Sequence, residues 1–252
     1  MTRVVLNKEL QELDTQIIRL GTLVDEALDL ALEALESEDL ATAGMVIEGD
    51  SIIDSLRATV EEHAIRLLTL QQPLGGRDLR LLTSALSIAG DLERTGDGAA
   101  GIAQILLRMA PLRSNTSQIE IDGNLSGPAG EEEQVSEALI LTGMLELGRE
   151  AGRVLKGTIE AFANRDAKAA RYIWEEDDVV DVRYHLVRHD LMAMLEGARA
   201  IPALQYDSRI LQRATYLLWI AHKLERMGDH CTNICERIVF IVEGETSMKN
   251  PQ

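Results

Sequence analysis

Aromatic side chains are scarce in this sequence, because Phe, Trp and Tyr together make up only 3% of its 252 residues. Apolar residues nevertheless reach 46%, and most of them are Leu, Ile, Ala and Val. An aliphatic core in a chain that is also rich in Glu and Arg is typical of helices packed against helices. A chain of this length forms either one large domain or two small ones.

Basic residues are also few. The chain has 25 Lys and Arg against 42 Asp and Glu, which gives a formal net charge of −17. Proteins that bind nucleic acid present a basic face to the phosphate backbone, so this charge argues against a nucleic-acid partner. It suits a protein that attracts cations.

Cysteines and long apolar runs are nearly absent, and this limits the cellular setting. The two cysteines, Cys231 and Cys235, lie four apart in a helical pattern. We expect them to remain reduced thiols, which suits the cytoplasm. The N-terminal segment MTRVVLNKELQELD lacks the apolar region of a signal peptide, and no apolar run reaches the length of a membrane span. We therefore expect a cytoplasmic protein without membrane insertion.

What the sequence does contain is helical periodicity. Apolar residues recur every three or four positions, which predicts long amphipathic helices. The segments SED (37–39), QQPLGG (71–76) and NRD (164–166) interrupt the pattern. SED is also predicted to cap the helix that follows it. Six helices are predicted, at about 6–36, 39–70, 78–109, 132–163, 167–197 and 209–242.

A longer interruption divides the helices into two groups. Residues 111–130 are rich in Ser, Asn, Gly and Pro and carry no helical stripe, which predicts a linker. The predicted division is a first three-helix repeat at 1–110, a linker at 111–131, a second three-helix repeat at 132–245 and a tail at 246–252.

The two groups resemble each other in sequence. LERTGDGAAGIA (92–103) aligns with LERMGDHCTNIC (224–235) without a gap, and the Leu, Glu, Arg, Gly, Asp and Ile of the motif coincide. EGDSIIDSL (48–56) aligns in the same way with EEDDVVDVR (175–183). The repetition predicts an all-α fold made of two related antiparallel three-helix bundles.

Pairs of acids four residues apart recur at matching places in the two repeats. Chance supplies about as many such pairs as this acidic chain contains, so the information lies in their recurrence. A spacing of four puts both carboxylates on one helix face, at a cost of about 0.2–0.5 kcal/mol per pair. The recurring pairs are Asp50/Asp54, Glu93/Asp97, Asp177/Asp181 and Glu225/Asp229.

These acids allow two interpretations. Glu225 directly follows Leu224 of the apolar stripe, so its side chain points about 100° away from the core. The pairs are then either part of a solvated face or the ligands of a cation. Oxygen-only ligands suit Mg, Mn, Ca or iron, or zinc with less selectivity.

The repeated motifs resemble the PhoU family of phosphate-uptake regulators. The likeness also includes QQP…DLR (71–80) and ERIVFIVEGE (236–245), and it covers nearly the whole chain. It implies two three-helix bundles side by side, with all eight repeated acids as ligands of surface metal clusters. Iron or zinc is the metal that the resemblance favours, with magnesium or manganese also considered.

The resemblance also implies a non-enzymatic, negative regulator of phosphate-starvation signalling and phosphate uptake. Its expected partners are the ATPase subunit of the phosphate ABC importer and a phosphate sensor histidine kinase, and a homodimer is among the possible assemblies. Two alternatives stay open from the residues. One is a phosphohydrolase that uses carboxylate-bound metals, and the other is a plain helical scaffold.

One difference between the repeats predicts unequal metal sites. The second repeat has His230 and Asn233 where the first has Gly98 and Gly101. We expect the two polar side chains to support the second acid set, and the two glycines to leave the first set weaker.

Overall fold

The fold described by the computed structural model is entirely helical. It describes residues 3–70, 74–112, 137–176, 178–200, 208–245 and 248. No β-strand occurs among these residues, and a single turn of 3-10 helix, Ala110–Leu112, follows the third helix. The α-helices are α1 Arg3–Ser37, α2 Leu40–Leu70, α3 Gly76–Met109, α4 Glu137–Asn164, α5 Ala167–Glu175, α6 Asp178–Ala200 and α7 Ser208–Glu243.

The helices pack as two bundles that share an apolar interface. α1, α2 and α3 pack against one another, and α7 packs with α4, α5 and α6. The two groups meet along α3 with α7 and along α1 with α4. The buried aliphatic side chains form one continuous cluster through both groups. The predicted all-α fold class is confirmed.

The first two helices of each repeat are joined by the same tight turn. Glu38 and Arg165 both adopt a left-handed backbone conformation with φ of 54°. The next residue is an aspartate whose Oδ1 accepts hydrogen bonds from the following helix: Asp39 from the amide of Ala41 at 2.9 Å, and Asp166 from that of Lys168 at 3.0 Å. The aspartates satisfy amides that lack a helical partner, as the sequence predicted for the first turn.

The predicted fifth helix, 167–197, is in fact two helices. α5 ends at Glu175, and Glu176 leaves the helical region with φ of −84° and ψ of 0°. Four acids in a row, 175–178, explain the break, because carboxylates are unfavourable at a helix C-terminus and favourable in a first turn. Arg153 of α4 holds the junction by an ion pair with Glu176 at 3.0 Å. The equivalent stretch of α2 has fewer acids and is continuous.

Parts of the predicted organisation lie outside the described residues. The 3-10 turn at Ala110–Leu112 covers the start of the predicted linker, and residues 113–131 fall outside. In the predicted tail only Met248 is described; it is buried, and its carbonyl accepts a hydrogen bond from Arg171 at 3.2 Å. The domain boundaries therefore stay predictions.

The length and apolar character of the helices also bear on membrane crossing. Within the described ranges, no helix is both long enough and apolar enough to span a bilayer.

Candidate metal centre

The four acids of the first repeat lie on the neighbouring helices α2 and α3. Asp50 and Glu93 are half-buried, whereas Asp54 and Asp97 are exposed. Burial raises the pKa of Asp50 above its usual value, and the negative charges of Asp97 and Asp54 raise it further. Burial, followed by the charge of Asp97, also raises the pKa of Glu93. The fold therefore brings these four carboxylates close enough to repel one another.

A basic side chain that the sequence analysis did not identify lies at this acid set. Nε of Arg57 in α2 is 3.5 Å from Oε1 of Glu93, and Nη1 donates a hydrogen bond to Glu61 at 2.7 Å. The charge of Arg57 opposes the rise in the pKa of Glu93. The charge of Arg57, and to a smaller extent that of Arg94 of α3, thus partly offsets the repulsion in the first set.

The acids of the second repeat are only partly described. Asp177 lies outside the described residues. Asp181 of α6 is half-buried, and in α7 Glu225 is half-buried and Asp229 exposed. Nδ1 of His222 is 3.1 Å from Oε2 of Glu225, so an imidazole accompanies this carboxylate.

An aromatic residue replaces Arg57 in the second repeat. Tyr184 corresponds to Arg57 in the alignment that pairs Asp54 with Asp181. Its ring centroid lies 6.4 Å from that of His222, which contacts Glu225. The side chain at this position is therefore positively charged beside the first acid set and neutral beside the second.

The first acid set is suited to a hard cation. Its four acidic side chains offer only carboxylate oxygens as ligands, and a bound cation would relieve the repulsion between them. Among the side chains that the structure describes, no three His, Cys, Asp or Glu residues are placed as a metal-binding group. The eight predicted ligands stay a prediction. The structure describes seven of them, and in the first set burial, followed by the charges of neighbouring carboxylates, raises the pKa of Asp50 and Glu93.

The two glycines of the first repeat face the other bundle and not the acids. A Cβ built on Gly98 would lie 2.7 Å from Cε of Met227, and one built on Gly101 would lie 2.5 Å from Cε of Lys223. Both glycines therefore allow α3 and α7 to approach closely. That the first acid set is the weaker one stays a prediction, but a side chain at either position would lie in the interface with α7 and not beside the acids.

His230 also belongs to this interface. It is buried, and its Nδ1 lies 3.7 Å from Oδ1 of Asp91, a buried carboxylate of α3. Burial lowers the pKa of His230, and the charge of Asp91 opposes that shift. His230 therefore faces α3 and Asp91. The charge of the adjacent Asp229 also opposes the fall in its pKa, so the link between His230 and the second acid set is electrostatic.

The repulsion in the first set predicts that one substitution changes stability in opposite directions with and without bound metal. In metal-free protein, Asp54→Asn is expected to raise the free energy of unfolding by about 0.5 kcal/mol, because Asp54 destabilises the charged forms of Asp50 and Glu93. With saturating Mn²⁺ the same change is expected to reduce the stabilisation by metal. Denaturant unfolding with EDTA and with Mn²⁺ measures both effects.

Glu62→Gln provides the control, since Glu62 is an exposed acid of the same helix. It should change stability little under either condition. If Asp54→Asn destabilises the metal-free protein, the carboxylates of the first set do not repel one another. If Mn²⁺ stabilises both variants equally, Asp54 is not a metal ligand.

Comparison with known proteins agrees with the repeated architecture. A sequence model of the PhoU domain matches the chain twice, at residues 17–106 and 144–238. A relative from Aquifex aeolicus, named as a phosphate-specific transport system accessory protein PhoU homolog, is 33% identical over 241 residues, covering 95% of this chain and 94% of its own. A homolog of the same name from Clostridium acetobutylicum is 27% identical over 245 residues, covering 97% of each chain.

Solved structures show the same likeness. The crystal structure of PhoU from Pseudomonas aeruginosa superimposes with a TM-score of 0.76 at 26% identity, covering 95% of this chain and 99% of that one. The phosphate transport system regulatory protein PhoU from Streptococcus pneumoniae gives a TM-score of 0.72 at 29% identity, covering 96% and 99%. With both repeats matched in sequence and nearly the whole chain matched in structure, this protein belongs to the PhoU family.

Proposed function

We propose that this protein is a regulatory accessory protein of a phosphate transport system. The proposal rests mainly on the match to the PhoU domain over both repeats. Relatives of nearly equal length, named as phosphate-specific transport system accessory proteins, support it. The finer proposal is negative regulation: when phosphate is plentiful, the protein links the ATPase subunit of the importer to a sensor histidine kinase and restrains uptake.

We propose further that the repeated acids hold metal ions. The charge repulsion among Asp50, Asp54, Glu93 and Asp97 supports this, because a divalent cation relieves it and joins α2 to α3. When bound, such a cation supplies positive charge at the protein surface. Iron, zinc, magnesium and manganese remain candidates, and a carboxylate site accepts all four.

Affinity purification from cells of the source organism tests the regulatory role. Tagged protein from cells grown in high phosphate is expected to retain the importer ATPase and the sensor kinase, and to retain less of one or both after phosphate starvation. Mass spectrometry identifies the partners. Absence of both from the high-phosphate sample would overturn the proposal.

A phosphatase assay separates the regulator from the alternative phosphohydrolase. Purified protein with added Mg²⁺, Mn²⁺ or Zn²⁺ is expected to hydrolyse no phosphate monoester above the metal-only control. Turnover that disappears in the Asp97→Asn variant would favour the enzyme. Metal analysis of the same preparation tests the plain scaffold, which would carry no bound metal.

A further inference from the structure

The interface between α3 and α7 carries a row of basic side chains at the surface. Burial lowers the pKa of His230, and the charges of Arg226 of α7 and Arg94 of α3 lower it further. Burial raises the pKa of Asp91, which lies 3.7 Å from His230, and the charge of Arg237 of α7 opposes that rise. Lys223 lies at the same interface, where its side chain covers Gly101. The basic seam is defined here as Arg94, Lys223, Arg226 and Arg237.

Most of the seam has no acidic partner of its own. Within the described part of the chain, Lys223, Arg226 and Arg237 form no ion pair, although acids greatly outnumber bases in the sequence. Arg94 is held in place by Asp91, whose Oδ1 accepts its hydrogen bond at 2.8 Å. Arg94 and Arg237 share the single negative charge of the buried Asp91. Lys223 and Arg226 have no acid within ion-pair distance among the described residues, so positive charge is in excess along the seam and an external anion would offset it.

The seam is elongated. α3 and α7 run antiparallel, since Asp91 meets His230 whereas Gly101 meets Lys223. From Lys223 to Arg237 the α-helical rise gives about 21 Å, and Arg94 falls between them opposite His230. A single phosphate or carboxylate can contact only part of this length, whereas an extended peptide of about six residues spans it.

Acids border the seam on both sides. Glu93 turns from it toward the acids of α2, and Glu225 lies beside His222 on the other side. An anionic segment that lies along the seam meets positive charge, and one displaced sideways meets carboxylates. This arrangement fixes the position of a bound chain by attraction along the row and repulsion beside it.

We propose that the basic seam binds an acidic, carboxylate-rich segment of a partner protein, lying along the α3–α7 interface. The proposal depends on the charges and geometry of the seam and not on the phosphate assignment. A peptide-binding test in vitro can therefore fail while the purification of the importer ATPase and the kinase succeeds. The peptide-binding test can also succeed while that purification fails.

Fluorescence anisotropy tests the proposal on the full chain. A fluorescein-labelled peptide of about six glutamates is titrated with protein at low ionic strength. Arg226→Glu with Arg237→Glu is expected to weaken binding at least about tenfold, because two attractive charges become repulsive. Arg19→Glu with Arg188→Glu makes the same net charge change at exposed positions of α1 and α6 and should leave binding near wild type.

Competition identifies the kind of anion. At matched ionic strength, inorganic phosphate is expected to displace the peptide no better than chloride. Selective displacement by phosphate would replace the proposal with a small-anion site. Absent binding by wild type, or an equal loss in both double variants, would overturn it. All four arginines are exposed, so the variants should keep the wild-type melting temperature; if one does not, the alanine versions are used.

Discussion

Replacing Gly148 with leucine is expected to lower the free energy of unfolding by about 3 kcal/mol, because the position lies inside the contact between α4 and α1. A Cβ at Gly148 would lie 2.9 Å from Cδ1 of Leu32 and closer still to Cδ2. Leu32 is itself buried, so its side chain has little room to move away. The larger residue must therefore force the two helices apart.

The same contact exists a second time in the interface. A Cβ at Gly21 of α1 would lie 2.8 Å from Cγ1 of Ile159 in α4. Gly21 corresponds to Gly148, and Leu32 to Ile159, when the repeats are aligned in the register that pairs Asp50 with Asp177. Each repeat thus offers a glycine that receives a branched side chain of the other, so Gly21→Leu is expected to destabilise the protein similarly.

Urea unfolding monitored by circular dichroism measures the effect, and Gly44 supplies the control. No atom lies within 4 Å of a Cβ built on Gly44 in α2, so Gly44→Leu should stabilise the helix by up to about 1 kcal/mol. Adding Leu32→Ala to Gly148→Leu is expected to restore part of the lost stability, because the smaller side chain at residue 32 leaves room for the new leucine. A Gly148→Leu protein as stable as wild type would show that the interface adapts without cost.

The helices were predictable because their information is local. The leucine stripe of α1 and the capping aspartate at Asp39 both act within a few residues of sequence, and the structure has them where predicted. The break between α5 and α6 was missed because helical periodicity continues across it. A run of four acids was the available signal, and its meaning depends on helix-end electrostatics.

The directions of side chains were less predictable than the helices themselves. Gly98 and His230 lie next to repeated acids in sequence, yet both face the contact between α3 and α7. A step of one residue turns a side chain by about 100°, so sequence neighbours of a site commonly belong to another surface. Knowing which helices pack together was needed to assign them.

Part of the candidate site is visible in the repeat alignment itself. The recurring acids mark the two sets, and the same alignment pairs Arg57 with Tyr184. Sequence alone does not say whether this difference in charge matters to the acids. The packing of α2 on α3 is what shows that Arg57 lies beside the first acid set, because its side chain reaches Glu93 across the helix interface.

This difference supplies a physical reason for unequal metal affinity. A guanidinium beside the first acid set repels a metal cation and competes for Glu93, whereas Tyr184 brings no charge to the second set. Two charges a few ångströms apart at a protein surface interact by about 1–4 kcal/mol, so the arginine should weaken cation binding by at least about tenfold. The second set remains the predicted tighter site.

Exchanging the two residues is expected to reverse the order of affinity. Arg57→Tyr in an Asp229→Asn background reports on the first set, and Tyr184→Arg in an Asp97→Asn background reports on the second. Titration calorimetry with Mn²⁺ should show the first substitution tightening binding about tenfold or more and the second weakening it by a similar factor. Each value is compared with the background variant alone.

Arg66→Tyr in the Asp229→Asn background separates local from long-range charge. Arg66 lies further along α2, is exposed and pairs with Glu9 at 2.9 Å, away from the acid set. Its loss changes the net charge as much as the loss of Arg57 but should alter the Kd for Mn²⁺ much less, because charge interactions in water fall off within about 10 Å. Equal shifts from Arg57→Tyr and Arg66→Tyr would mean that net charge alone governs affinity, and the contact between Arg57 and Glu93 would then carry no part of the difference between the repeats.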